Sequence, residues 1–160
     1  MRLYLVQHAD AVSKDTHPLR PLSKKGLQDA TNMAAFLHGA SVQVDLVVHS
    51  GKLRAEETAN VLANTVWPGL TPEAFDGIMP KDDTDHLLNN ALTAGGDLMV
   101  VGHMPFMGRM AARCLTGSED GINVTFEPGA VLCLERQDET WSLEWFMKPS
   151  MVGESGGDVA

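Results

Sequence analysis

The chain reads as a three-layer α/β domain, with a mainly parallel central sheet, helices on both faces and an antiparallel hairpin at the C-terminal edge. Three observations predict this. The short apolar runs Leu3-Tyr4-Leu5-Val6, Leu46-Val47-Val48 and Leu98-Met99-Val100-Val101 have the character of strands buried on both faces. Each is followed by a stretch of helical periodicity, the alternation that builds parallel sheets. The last two runs are separated only by a short polar turn, which joins antiparallel neighbours.

Residues 2–7 form the first predicted strand, and residues 9–22 a loop punctuated by Pro18 and Pro21. Ser23 suits an N-cap, after which Leu27, Ala30, Met33, Ala34 and Leu37 recur at helical spacing until Gly39. Residues 45–49 are the second strand, and a helix follows from Lys52 to about Val66, stopped by Pro68-Gly69. Residues 69–81 read as irregular, with a short strand near Ala74 and Phe75. Asp82 or Asp83 caps a third helix through Leu87, Leu88, Ala91 and Leu92, closed by Gly95-Gly96. Another apolar strand covers residues 97–101; Pro105 then sits in the first turn of a helix that runs to about Leu115, before Gly117. Residues 130–136 and 141–147 pair as the hairpin around Gln137-Asp138-Glu139. Residues 1–148 are expected to be a single domain, and residues 149–160, rich in Gly and Ser, a disordered tail.

With 160 residues, the chain has one domain's worth of sequence and enough to bury a core. Its formal charge of −9 argues against nucleic acid and against anionic membranes as partners. That charge is uneven: residues 1–30 carry five basic groups against three acids, so the part nearest His8 is least hostile to an anion. No apolar run approaches the roughly 18 residues a membrane helix needs, and no signal-peptide layout is read, so a cytoplasmic address is expected. Cys114 and Cys133 lack metal-ligand spacing and read as small buried hydrophobes.

Three of the apolar runs end in residues that carry chemistry. His8 follows the first, His49-Ser50-Gly51-Lys52-Leu53-Arg54 the second, and His103 the fourth predicted strand. Ligands of open α/β sheets bind at the strands' carboxyl ends, so two imidazoles and a guanidinium would meet at one rim. Each loop also leads into a helix N-terminus, which suits an anion. That set fits a phosphoryl group. His8 is the candidate nucleophile, since a neutral imidazole can attack phosphorus. Arg54 and Arg20 are candidate clamps on the phosphoryl oxygens, and a protonated His103 would add a third cationic donor. One histidine after a strand is ordinarily structural; two, with an arginine at an equivalent end, favour function. His49 reads as packing, and His38 and His86 as surface residues. A metal site of His8, Asp10, His49 and His103 is the rival, but a nearby Arg54 would repel the ion. Neither metal nor cofactor is expected.

The same residues carry a resemblance. Gln7-His8-Ala9-Asp10, Arg20-Pro21-Leu22-Ser23, Ser50-Gly51-Lys52-Leu53-Arg54-Ala55-Glu56-Glu57-Thr58-Ala59 and Gly102-His103-Met104-Pro105 resemble the ordered motifs of the histidine phosphatase superfamily. The short length, the Pro128-Gly129-Ala130 ending and Trp141-Ser142-Leu143-Glu144 resemble its SixA-type phosphohistidine phosphatases. The resemblance implies a phosphohistidine intermediate on His8, catalytic Arg54 and His103, and substrate binding by Gln7, His17, Arg20 and Ser50. It implies as partner a phosphohistidine-bearing protein, such as a histidine phosphotransfer domain, or a small phosphate ester. The family's opening motif usually reads Arg-His-Gly; here Gln7 keeps an amide but loses the charge, which leaves open a binding module with little turnover. Ala9 in place of glycine matters only if the backbone there needs a positive φ. His17 stands where small members often carry an acid. Asp82 and Asp83 are candidates for a leaving-group acid, yet read better as helix caps.

Overall fold

The computed structural model describes residues 1–153. Six strands form one sheet: β1 (Arg2–Gln7), β2 (Leu46–His49), β3 (Glu73–Ala74), β4 (Leu98–Gly102), β5 (Val131–Gln137) and β6 (Thr140–Met147). Their order across the sheet is β3-β2-β4-β1-β5-β6. Strands β3, β2, β4 and β1 run parallel, while β5 is antiparallel to β1 and β6 to β5. The α/β architecture and the edge hairpin are those expected from the sequence. At the centre, Leu5 pairs with Val100 and Gln7 with Gly102, so β1 and β4 end level.

Four helices cover the sheet: α1 (Lys24–Gly39), α2 (Leu53–Val66), α3 (Thr84–Ala94) and α4 (Phe106–Thr116). Side chains of a strand alternate between faces, and β1 shows how both faces are filled. Tyr4 and Val6 lie in one buried cluster with Met33 and Leu37 of α1 and Ala59 and Leu62 of α2. Leu3 and Leu5 lie in the other, with Leu87 of α3 and Phe106, Met107 and Met110 of α4. Burying each such large side chain contributes about 1.5–3 kcal/mol, which is what holds helices to both sides of the sheet.

Local signals act as the sequence implies. Ser23 caps α1, its hydroxyl accepting from the Gly26 N–H at 3.0 Å. Asp83 caps α3 through the Asp85 N–H at 2.8 Å, and Asp82 accepts from the Met79 N–H, so both acids serve local structure. Gly95 and Gly117 end α3 and α4 in the left-handed conformation. The β5–β6 turn is tighter than expected: Gln137 pairs with Thr140, and both Asp138 and Glu139 have positive φ. That is the backbone a two-residue hairpin loop requires.

The expected tail starts differently. Pro149–Met151 form a 3-10 turn with Pro149 buried, and the Ser150 hydroxyl donates to Glu127 at 2.7 Å. Packing of Pro149 beside Gly129 and of Val152 against the first cluster outweighs the polar composition there. Residues 154–160 of that expected tail lie outside the described residues. No described helix is long and apolar enough to cross a membrane.

Candidate active site

Because β1 and β4 are neighbours that end level, His8 and His103 leave the sheet side by side, with ring centroids 5.0 Å apart. The His8 N–H donates to the Gly102 carbonyl at 2.9 Å, continuing the ladder one step past β1. Its ring is held by a second bond: Nδ1 lies 2.7 Å from the Ala9 carbonyl. A carbonyl only accepts, so the proton sits on Nδ1 and the lone pair on Nε2. Arg54, in the first turn of α2, donates its Nε–H to that Nε2 at 3.3 Å. Burial first, then the charges of Arg54 and Arg20, hold His8 below the ordinary imidazole pKa, against the pull of the Ala9 bond and Asp10. At neutral pH it is a neutral ring with its lone pair turned to a guanidinium.

Thr58 ties this arrangement together, one turn further along α2. Its hydroxyl donates to the Arg54 carbonyl at 2.7 Å and accepts from the Ala9 N–H at 3.0 Å. Ala9, whose carbonyl orients His8, is thus tied through its N–H to the helix that carries Arg54. Ala9 is buried and is not among the residues with positive φ, so glycine is not needed there. Sequence reasoning did not single out Thr58; its place four residues after Arg54, on the same helix face, was the available signal.

His103 is 3% exposed, and its Nε2 lies 2.7 Å from the Ser50 hydroxyl. That hydroxyl also accepts from the Lys52 N–H at 3.3 Å, so it joins the His103 ring to the start of α2. Burial, followed by the charges of His8, Arg54, Lys52 and Arg20, pushes the His103 pKa down to about 4. Among the site's own cations the ring is therefore neutral at pH 7, and it becomes the cationic donor considered from the sequence only once protonated. A cation becomes affordable there only when an anion joins the group.

Arg20 belongs to the same electrostatic cluster: after burial, its charge is what lowers the Arg54 pKa. Its backbone has φ of 50°, a left-handed conformation that costs a non-glycine residue about 1 kcal/mol. The Arg20 Nε–H donates to the Val12 carbonyl at 3.0 Å. Arg20 and Arg54 line one cleft of about 540 Å³ together with Lys14, Leu19, Lys52 and Glu56.

Two expected residues are placed otherwise. Gln7 Oε1 is buried without a hydrogen-bond partner, and no described contact joins it to the imidazoles or arginines. His17 is exposed, and its Nδ1 accepts from the Leu19 N–H at 3.1 Å within its own loop. Ser50, by contrast, is drawn in through His103. His49 is buried and accepts from the Gly51 N–H at 3.1 Å, which fits a packing role. Asp10 takes the Ser23 hydroxyl at 2.5 Å. No three His, Cys, Asp or Glu side chains among the described residues are grouped to hold a metal ion.

No family model matches the chain. Over 154 residues it is 26% identical to the phosphohistidine phosphatase SixA of Escherichia coli (strain K12), covering 93% of this chain and 94% of that protein. The solved structure of the protein histidine phosphatase SixA complexed with tungstate superposes with a TM-score of 0.83 at 23% identity, covering 94% of this chain and 98% of the other. A phosphoglycerate mutase from Bacillus anthracis str. Sterne shares the fold at a TM-score of 0.71 and 16% identity, with 94% of each chain covered.

Proposed function

We propose, from the premise that this chain is similar in sequence and fold to the SixA-type histidine phosphatases, that it removes the phosphoryl group from phosphohistidine carried on a protein. The observation that carries the reading is the arrangement of His8: its proton is parked on the Ala9 carbonyl and its Nε2 lone pair lies under Arg54.

The chemistry follows from those contacts. An incoming phosphoryl dianion competes for the Arg54 and Arg20 guanidinium groups, since charge-assisted bonds to phosphate exceed one to a neutral ring nitrogen. Arg54 then releases Nε2. The lone pair attacks phosphorus in line, the new P–N bond forms on His8 Nε2, and the P–N bond to the substrate imidazole breaks. A substrate ring protonated on its second nitrogen takes the electrons of the breaking P–N bond and departs as neutral imidazole, so strong general-acid help is less needed than for an alkyl phosphate. Water then attacks phosphorus, the bond to His8 breaks, and inorganic phosphate departs. The anion beside His103 raises the pKa of that ring, letting it donate as charge builds on the equatorial oxygens. No step in this account uses a metal.

The test is acid-quench trapping with a histidine-phosphorylated protein. Wild type should yield a transient acid-labile phosphoenzyme and steady release of phosphate. His8→Ala should form none and lose at least about 10³-fold in turnover, as removing a nucleophile does. A wild-type protein that binds the substrate and never releases phosphate would instead be a binding module.

A further inference from the structure

Resting on that reading, we infer that the cleft beside the imidazole pair docks a protein whose phosphorylated side chain stands among acidic residues, with Lys14, Lys52 and Leu19 reading those surroundings. The cleft presents four cations, Lys14, Arg20, Lys52 and Arg54, against one carboxylate, Glu56. It does so on a chain of formal charge −9. None of the four is in an ion pair among the described residues; Lys24, Lys81, Arg136 and Lys148 elsewhere are likewise unpaired, so it is the gathering of four around one cleft that sets these apart. An acidic chain that leaves four cations unpaired around one cleft is shaped for an anionic visitor.

The number of charges decides which visitor. The two arginines, both only partly exposed, match the charge of one phosphoryl dianion. Lys14 and Lys52 are exposed and lie on the rim, so they remain for anionic groups beyond the phosphoryl itself. Beside them Leu19 is 64% exposed, an apolar contact that a small phosphate ester has nothing to match. A cleft of about 540 Å³ is also far larger than a phosphoryl group requires. A protein surface supplies what is left over: carboxylates for the lysines and an apolar side chain for Leu19. Complementary charge of this kind acts mainly on association and selectivity.

Two synthetic peptides test this, each carrying one histidine phosphorylated with phosphoramidate, one flanked by Asp and Glu and the other by Ser and Gly. Free phosphohistidine is the control. Wild type should show about tenfold higher kcat/KM for the acidic peptide at low salt, through KM, with the advantage fading as salt screens it. Lys14→Glu should abolish that preference, and Leu19→Ser should weaken both peptides while free phosphohistidine turns over as before. Indifference to the flanks overturns the proposal. So does an equal loss on free phosphohistidine in Lys14→Glu, which would assign Lys14 to the phosphoryl itself. If no phosphohistidine compound is hydrolysed, the catalytic reading fails by itself. Docking is then judged from calorimetric binding of the two phosphopeptides to His8→Ala, where equal affinities overturn it.

Discussion

His8 depends on where its proton sits, and the Ala9 carbonyl together with the Arg54 guanidinium decide that. Burial and the two arginines lower its pKa, so the neutral, nucleophilic form persists below the usual imidazole value. Activity should therefore fall on the acid side only as pH drops below about 6.5. Arg54→Ala removes one of the charges that depress the pKa. Its acid limb should move to higher pH, while kcat/KM falls by about 10²–10³-fold through loss of a phosphoryl donor. A pH–rate profile of both proteins checks the direction, and an unmoved limb would show that Arg54 acts on phosphate alone. At this scale the sequence exposes His8, Arg54, His103 and Ser50, because strand ends are visible as the last residues of apolar runs. Thr58 and the Ser23–Asp10 pair stay hidden, since their partners are 49 and 13 positions away and no local pattern announces such a bond. His17 goes the other way: its ring chooses a backbone N–H two residues on.

The first turn of α1 sits against the loop that follows His8, and the contact is made possible by one glycine. A Cβ on Gly26 would lie 1.9 Å from the Asp10 carbonyl oxygen, the same oxygen that accepts the Ser23 N–H at 2.9 Å. Replacing an ordinary helical glycine by alanine stabilises by up to about 1 kcal/mol. Here the sign should reverse: Gly26→Ala should cost about 3 kcal/mol, because backbone must move on one side or the other. Urea denaturation measures it, and turnover should fall too, since the displaced loop carries the Ala9 carbonyl. Helices and central strands were readable because hydrophobic periodicity and caps agree within each. The short strand expected near Ala74 and Phe75 falls at Glu73–Ala74, whereas the turn at residues 149–151 was not readable. The order of that turn comes from the packing of Pro149 and Val152, which is set by distant parts of the chain.

The whole molecule stores part of its stability in keeping imidazoles neutral. His103 titrates near 4 when folded, against about 6.5 when unfolded. Between those values the unfolded chain binds the extra proton, so stability is full above about pH 6.5 and is lost progressively as pH falls towards 4. His103 alone accounts for a loss of about 2 kcal/mol at pH 5, and His8 and His49 shift in the same direction. Urea midpoints at pH 7.5 and pH 5 should differ accordingly, and the gap should narrow in His103→Gln. Bound inorganic phosphate should narrow it as well, because an anion lets the rings keep their protons.

The level ending of β1 and β4 has one more consequence. Adjacent strands are spaced by their hydrogen-bond ladder at about 4.8 Å, and the two imidazoles stand 5.0 Å apart because each hangs one residue beyond a paired position. The sheet thus sets the backbone spacing of the pair, while the loop after His8 sets how its ring is turned. Segments of the rim that do not hold either ring can change around a pair whose backbone gauge the sheet keeps.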